Sequence, residues 1–229
     1  MTGPARIYAV RHGQSEKNLA YQQAGAEPLV YPRGDDEFTL TGRGRQQASD
    51  LGRYLAGLPG SEAPELVWCS PYLRALDTWA HALRAWGVEP PPVTVDPRLR
   101  DREMGVLSDH NAAAAARWFP EEAQRARRDG EYGFRPSGGE SFGDVVDRLR
   151  RFMADLAGHA DGRRVLIVAH DAIVLLLRHV LAGTPDAHLA AIHAHAPVHN
   201  ASVSTWHRVN GRLEVHRFND TAHLTATPT

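Results

Sequence analysis

Three short apolar runs in the sequence end in residues that could bind or transfer an anionic group. A guanidinium group pairs with phosphate oxygens through its planar fork, and a neutral imidazole is a competent nucleophile near pH 7. Each residue alone would more often be structural, but their shared position after apolar runs favours phosphoryl-transfer chemistry. The runs and the residues that follow them are 7–10 with Arg11, His12 and Gly13, 66–69 with Ser70 and then Arg74, and 165–169 with His170.

The elements that must position these residues are predicted to be strands of a parallel sheet. Apolar runs without alternation are typical of strands buried on both faces, and the carboxyl ends of parallel strands lie at one edge. The sequence therefore predicts that His12, Arg74 and His170 meet in one crevice. A short strand is predicted at 93–95, and Asn210-Gly211 between 202–209 and 213–218 predicts an antiparallel hairpin at the sheet edge.

Helices are predicted between the strands because apolar residues recur three and four positions apart. The helical segments are 48–58, 73–83, 142–156 and 173–181, of which the last is almost wholly apolar. Ser70 with Pro71 is interpreted as the N-cap and first residue of one helix, and Ser141 with Asp144 as the N-cap box of another.

The alternation of strands and helices predicts an α/β fold, a three-layer sandwich with a mostly parallel central sheet and helices on both faces. We expect residues 1–229 to form a single domain. Residues 105–140 break the alternation, with an alanine run at 112–116, a charged helix at 121–128 and a Gly/Pro-rich loop. This segment, called the excursion below, is predicted to cap the site as an insertion of helix and loop.

The composition, with 42% hydrophobic and 23% charged residues among 229, is that of a globular protein. A net charge of −1 gives no basic footprint, so neither nucleic acid nor a membrane surface is expected as a partner. No apolar run approaches the ~18 residues of a transmembrane helix. The N-terminal segment lacks a secretory signal and Cys69 is the single cysteine, so we expect a cytoplasmic protein without an intrachain disulfide.

A series of short motifs follows in order across nearly the whole chain. They are Arg-His-Gly-Gln-Ser-Glu-Lys-Asn at 11–18, Leu-Thr-Gly-Arg-Gly at 40–44, Ser-Pro at 70–71 with Arg74, Arg-Glu-Met-Gly at 102–105, Gly-Gly-Glu-Ser at 138–141, Val-Ala-His at 168–170 and Asn-Ala-Ser-Val at 200–203. Their order and spacing resemble the histidine phosphatase superfamily, which also contains the cofactor-dependent phosphoglycerate mutases.

The resemblance implies hydrolysis of a small phosphomonoester through a phosphohistidine intermediate. His12 is implied as the nucleophile, and Glu103 as the acid that protonates the leaving group and then as the base that activates water. On this assignment, Glu103→Gln would slow the hydrolysis of esters with poor leaving groups. The residues implied to bind the phosphate are Arg11, Arg74 and His170, with Asn18 and Ser15 as further contacts.

The expected partner is a small phosphorylated metabolite, and its identity is open. Tyr132 and Arg135, in the loop of the excursion, are candidate substrate contacts. No cofactor and no metal ion are expected, because the guanidinium groups carry the counter-charge. Family analogy alone suggests a homodimer.

Two other readings remain open. A phosphoglycerate-type mutase would share the phosphohistidine but pass the phosphoryl group to a second hydroxyl, and a catalytically dead module would only bind phosphorylated ligands. Asp171 follows His170 where the family often has glycine, and its carboxylate would repel phosphate unless it turns to the N-terminus of the next helix. A cluster of His193, His195 and His199 could bind a metal, although no acidic partner lies near it in sequence.

Overall fold

Four parallel strands and an antiparallel hairpin form the central sheet. The computed structural model describes residues 3–30, 33–183 and 197–225. The strand order is β3-β2-β4-β1-β5-β6. The strands are β1 (Arg6–Arg11), β2 (Leu66–Cys69), β3 (Val93–Val95), β4 (Arg164–Ala169), β5 (Val203–Val209) and β6 (Arg212–Asp220).

The predicted mixed sheet is confirmed. β1, β2 and β3 run parallel to their neighbours in the series β3-β2-β4-β1, whereas β5 and β6 are antiparallel. Asn210 and Gly211 both take positive φ angles, 48° and 83°, which a two-residue hairpin turn of the favoured type requires. β6 therefore forms one edge of the sheet.

Helices cover both faces of the sheet, as predicted. They are α1 (Glu16–Gln23), α2 (Gly42–Ala56), α3 (Leu73–Trp86), α4 (Ala112–Trp118), α5 (Pro120–Gly133), α6 (Phe142–His159) and α7 (Asp171–Ala182). The predicted Ser141–Asp144 capping box at the start of α6 is present.

Alternating strand residues separate the core into two halves. Ile7 and Ala9 of β1 pack with apolar residues of α6 and α7. Tyr8 and Val10 point to the opposite face and pack with apolar residues of α2 and α3. This two-residue period, with apolar neighbours on both sides, explains why β1 and β4 read as unbroken apolar runs.

The predicted start of α3 is wrong. The helix begins at Leu73 with Tyr72 in the N-cap position, rather than at Pro71 with Ser70 as the cap. Ser70 Oγ instead lies 2.8 Å from His170 Nε2. Ser70, which resembled a helix cap, therefore contacts a residue at the end of another strand. Local sequence does not encode this contact.

The excursion contains the two predicted helices. The alanine run lies in α4, and the charged segment lies in α5, which is interrupted at Gly130 by a backbone with φ 68°. Leu29 N–H donates to Asp109 O, so the loop after α1 is joined to the excursion.

Candidate active site

The ends of β1, β2 and β4 lie side by side. His12 N–H donates to Ala169 O at 2.9 Å, and Ser70 N–H donates to Val168 O at 2.9 Å. These bonds continue the strand ladders by one residue and bring the ring centroids of His12 and His170 to 5.2 Å. Parallel pairing thus gathers the residues that follow three separate apolar runs.

A cavity of about 790 Å³ opens at this edge of the sheet. We call its inner end, formed by Arg11, His12, Arg74, Asp101 and His170, the floor. We call the lining residues of the excursion, together with Phe142, the wall. All the floor residues except the fully buried His170 line the cavity directly.

His12 has the geometry of a neutral nucleophile. Its Nδ1 lies 2.7 Å from Gly13 O, and because a carbonyl only accepts, the proton is held on Nδ1. The lone pair on Nε2 faces Arg74 Nε at 3.2 Å. Burial, followed by the charges of Arg74, His170 and Arg11, lowers the pKa of His12 well below its ordinary value. The imidazole is therefore kept neutral in the folded protein, with its single proton on Nδ1.

The turn that carries His12 requires glycine at position 13. A Cβ atom at Gly13 would lie 2.5 Å from Gly44 O. Gly13 N–H also donates to Thr78 Oγ1 of α3 at 3.0 Å. The first turn of α2 and the side chain from α3 therefore fix the loop after β1.

His170 is fully buried and held by Ser70. Its Nε2 lies 2.8 Å from Ser70 Oγ, and Ser70 Oγ accepts a bond from Tyr72 N–H. Its Nδ1 lies 3.5 Å from Asp101 Oδ2. Burial, then Arg74 and Arg11, lowers the pKa of His170 well below its ordinary value, so this imidazole is also neutral.

Arg74 joins the floor to the loop after α1. It is 2% exposed, and its NH1 donates to Asp35 O at 2.5 Å and to Asp35 Oδ1 at 3.1 Å. Its NH2 donates to Asp101 Oδ2 at 3.1 Å. Arg11 NH1 donates to Val198 O at 2.5 Å, whereas its buried Nε has no hydrogen-bond partner within the described ranges. Both predicted phosphate-binding arginines therefore reach the cavity.

The carboxylate at the floor belongs to Asp101. Its Oδ2 contacts both Arg74 and His170, and its side chain is 28% exposed where it lines the cavity. Sequence reasoning missed this residue. Asp101 and Glu103 stand two positions apart in one charged segment, and residue type and spacing do not separate them.

The prediction that Glu103 lies at the site is wrong. Its side chain is 48% exposed and its Oε1 accepts from Arg100 Nε at 2.7 Å, outside the cavity lining. The backbone fixes this orientation, because Glu140 N–H donates to Glu103 O and Glu103 N–H donates to Glu140 Oε2.

Ser15 and Asn18 both line the cavity, at the start of α1. Ser15 is the N-cap of this helix and forms a reciprocal capping box with Asn18. Asn18 Oδ1 also accepts from Asn200 Nδ2 at 3.2 Å. With its oxygen engaged, the NH₂ group of Asn18 is the part of the side chain that can donate to a ligand.

The predicted substrate contacts Tyr132 and Arg135 do not line the cavity. Tyr132 packs against the core beside α6. Arg135 extends over the surface, where its NH2 lies 2.5 Å from Asp144 Oδ1 and its side chain is 59% exposed. The capping acid of α6 attracts the guanidinium of Arg135 away from the cavity, and neither residue is placed beside the ligand position by the structure.

Asp171 faces the cavity beside Arg11. It is the first residue of α7, and His170 occupies the N-cap position. Burial raises the pKa of Asp171, and the charge of Arg11 opposes that shift. The carboxyl group lines the cavity and also accepts a hydrogen bond from Ala172 N–H in the first turn of α7.

Within residues 3–30, 33–183 and 197–225, no group of three or more His, Cys, Asp or Glu side chains could hold a metal ion. The proposed cluster of His193, His195 and His199 falls largely outside the described residues, which include only His199. None of the described helices is long and apolar enough to cross a membrane.

Comparison with known families agrees with the geometry. The sequence pattern of the histidine phosphatase superfamily (branch 1) matches residues 7–221. A 2,3-bisphosphoglycerate-dependent phosphoglycerate mutase of Beijerinckia indica is 32% identical over 79% of this chain and 83% of its own length. A bifunctional protein of Mycobacterium tuberculosis is 32% identical over 96% of this chain. The chain spans about half (55%) of the length of that relative.

Solved structures give the same fold. A mycobacterial glucosyl-3-phosphoglycerate phosphatase, in complex with VO3, superimposes with a TM-score of 0.73 and 27% identity, over 95% of this chain and all of its own. The α-ribazole phosphatase of Shigella flexneri gives a TM-score of 0.74 over 94% of this chain and 96% of its own. At 23% identity, this second likeness concerns the fold alone.

Proposed function

Because the chain belongs to the histidine phosphatase superfamily, we propose that it hydrolyses a phosphomonoester through a phosphohistidine on His12, without a metal ion. The observation that carries this proposal is the state of His12. Its Nδ1 proton is held by Gly13 O and its Nε2 lone pair faces Arg74 in a cationic, buried corner. A binding module needs the cations but has no use for a neutral imidazole held in this tautomer.

In the first half-reaction, His12 Nε2 attacks phosphorus while the bond to the ester oxygen breaks. Arg11 and Arg74 stabilise the charge on the transferring oxygens. Ser70 Oγ accepts a hydrogen bond from Tyr72 N–H, and its own hydroxyl group can donate to His170 Nε2. The proton of neutral His170 then lies on Nδ1, where it can donate to phosphate.

Asp101 is the group we assign as the acid and base. In its protonated form, Asp101 lies where it can donate to the bridging oxygen of a phosphomonoester bound by Arg74. The proton passes to the leaving alkoxide, and the alcohol departs. The ionised carboxylate then takes a proton from water as the water attacks phosphorus, which releases orthophosphate and restores neutral His12.

A mutase is the second candidate, because phosphoglycerate mutases are among the relatives with substantial coverage. In that reaction a second hydroxyl, rather than water, would accept the phosphoryl group. The cavity of about 790 Å³ is larger than a three-carbon acid needs, which favours the phosphatase.

Detection of the phosphoenzyme tests this proposal. Wild-type protein in chelator is mixed with a ³²P-labelled aryl phosphate and quenched in alkali, in which phosphohistidine survives. We expect labelled protein and released orthophosphate, and neither with His12→Ala, while His159→Ala, an exposed histidine of α6, serves as the matched control. Label in the His12→Ala protein would contradict the assignment. Dependence of turnover on added bisphosphoglycerate would identify the mutase.

A further inference from the structure

The wall of the cavity is built largely from small apolar side chains. α4 contributes Ala112, Ala115 and Ala116, and α5 contributes Ala123 and Ala126. Spacings of three and four place these methyl groups on one face of each helix. Because a methyl group projects so little, the space beside the floor stays open, and its surface offers no hydrogen bonds.

Larger apolar groups complete the wall. Phe134 and Phe142 both line the cavity. The guanidinium carbon of Arg102 lies 4.2 Å from the centroid of the Phe142 ring. Arg102 Nε donates to Glu140 O at 2.8 Å, and Arg102 NH2 donates to Phe134 O at 3.0 Å. This arginine therefore supports the aromatic surface and directs Nε and NH2 to carbonyl groups of the protein.

Other polar side chains of the wall are also engaged. Asn111 caps α4 through its Oδ1 and donates from Nδ2 to Gly25 O at 2.7 Å. Glu122 Oε1 accepts from Arg125 NH1 at 2.7 Å and from Ser137 Oγ at 2.6 Å. Such groups cannot bind the hydroxyl groups of a ligand without losing these bonds.

Few polar atoms of the wall remain for a ligand. Glu122 Oε2 and His110 Nδ1 are buried and have no hydrogen-bond partner among the described residues, and Arg127 is exposed. These three groups are too few to pair with all the hydroxyl groups of a sugar. Each hydroxyl buried without a partner would cost binding free energy.

From this wall we infer the class of substrate, an inference that rests on the proposed function. We propose that the substrate is the phosphomonoester of a large, mostly apolar alcohol that carries few polar substituents. The phosphate binds at the floor, and the aromatic or branched aliphatic body lies against α4, α5 and Phe142. A cavity of about 790 Å³ is of the size that encloses such a ligand.

Three esters of primary alcohols test this proposal, because their leaving groups are alike. They are ethyl phosphate, 3-phenylpropyl phosphate and glucose 6-phosphate. We expect kcat/KM for 3-phenylpropyl phosphate to exceed that for ethyl phosphate by at least about tenfold, equal to about 1.4 kcal/mol. The kcat/KM for glucose 6-phosphate should be no higher than that for ethyl phosphate. Equal or faster hydrolysis of glucose 6-phosphate than of the phenylpropyl ester would overturn the inference.

A pair of variants localises the preference. Ala126→Trp fills the wall and should reduce the ratio between the phenylpropyl and ethyl esters by at least about fivefold. Ala113→Trp, at an exposed position of α4 outside the lining, is the matched control and should keep the wild-type ratio. An unchanged ratio in well-folded Ala126→Trp protein would contradict the proposed binding mode. If this variant does not fold, Ala123→Leu takes its place.

Binding of phosphonates separates this inference from the proposed function. Calorimetry with ethylphosphonate and 3-phenylpropylphosphonate measures the preference without any hydrolysis. Tighter binding of the phenylpropyl compound by a protein that hydrolyses none of the esters would support the proposed class of ligand and reject the phosphatase activity. Hydrolysis of all three esters at similar kcat/KM would support the phosphatase and reject the proposed substrate class.

Discussion

The floor and the wall of the cavity are held in different ways. His12 and His170 follow adjacent parallel strands, and backbone bonds of the sheet determine their separation. The wall lies on α4, α5 and their loops, whose side chains are oriented by caps such as Asn111 and ion pairs such as that between Glu122 and Arg125. Strand pairing is readable from apolar runs, whereas competition among surface charges is not. The floor is therefore the better predicted of the two regions.

The largest expected effect distinguishes Asp101, in the floor, from Glu103, two residues further along the chain. Asp101→Asn should lower kcat for an alkyl phosphate by about 10²-fold or more, because the leaving alkoxide loses its acid. The loss should be smaller for p-nitrophenyl phosphate, whose leaving group needs no proton. Glu103→Gln is the matched control, and we expect it to stay within about twofold of wild type, since its side chain is exposed beside Arg100. The reverse ranking in steady-state kinetics would restore Glu103 as the acid.

The pH dependence of stability should report on the floor. The pKa values of His12 and His170 are lowered in the folded protein, so the unfolded chain binds protons first as the pH falls. The two neutral histidines therefore contribute their full stability to the folded protein above the ordinary histidine pKa near 6.5. Below that pH the free energy of unfolding falls by on the order of 1 kcal/mol per histidine and pH unit.

Urea unfolding between pH 7.5 and 5 measures this dependence. His170→Gln, whose amide oxygen can accept from the Ser70 hydroxyl, should flatten the dependence on the acid side. His159→Gln, at an exposed position of α6, should leave the slope unchanged. Parallel curves for wild type and His170→Gln would show that His170 titrates normally.

A smaller effect is expected at Asp171, which borders the floor. Its raised pKa means that it takes up its proton at a higher pH than an ordinary aspartate, so acidification removes its repulsion of phosphate. At neutral pH, Asp171→Asn should lower KM about threefold, and the difference from wild type should shrink as the pH falls. A constant ratio of KM values across pH, measured with one aryl phosphate, would show that the charge of Asp171 does not act on the ligand.

The smallest effect is expected on the outer surface of the excursion, at a residue that is not part of the wall. Arg135→Ala removes an exposed ion pair with Asp144 and should cost no more than about 0.5 kcal/mol in thermal or urea unfolding. Because the side chain is outside the cavity lining, kcat/KM should stay within about twofold. A tenfold rise in KM would mean that Arg135 turns towards the substrate when it binds.

Local signals in the sequence determined most of the fold. Apolar runs identified the buried strands, Asn210-Gly211 identified the hairpin, and the Ser141 capping box identified the start of α6. Each signal works because backbone geometry depends on residues a few positions apart. The same runs placed His12 and His170 correctly, since a residue that follows a parallel strand can only lie at one edge of the sheet.

Only the tertiary structure decided how individual side chains are used. Ser70 resembled a helix cap but contacts His170 across two strand ends. Asp101 and Glu103 are equivalent in the sequence, and contacts with Arg74 and Glu140, from distant segments, turn one towards the cavity and the other to solvent. Side-chain orientation depends on partners far apart in the chain, and these partners are known only after the chain has folded.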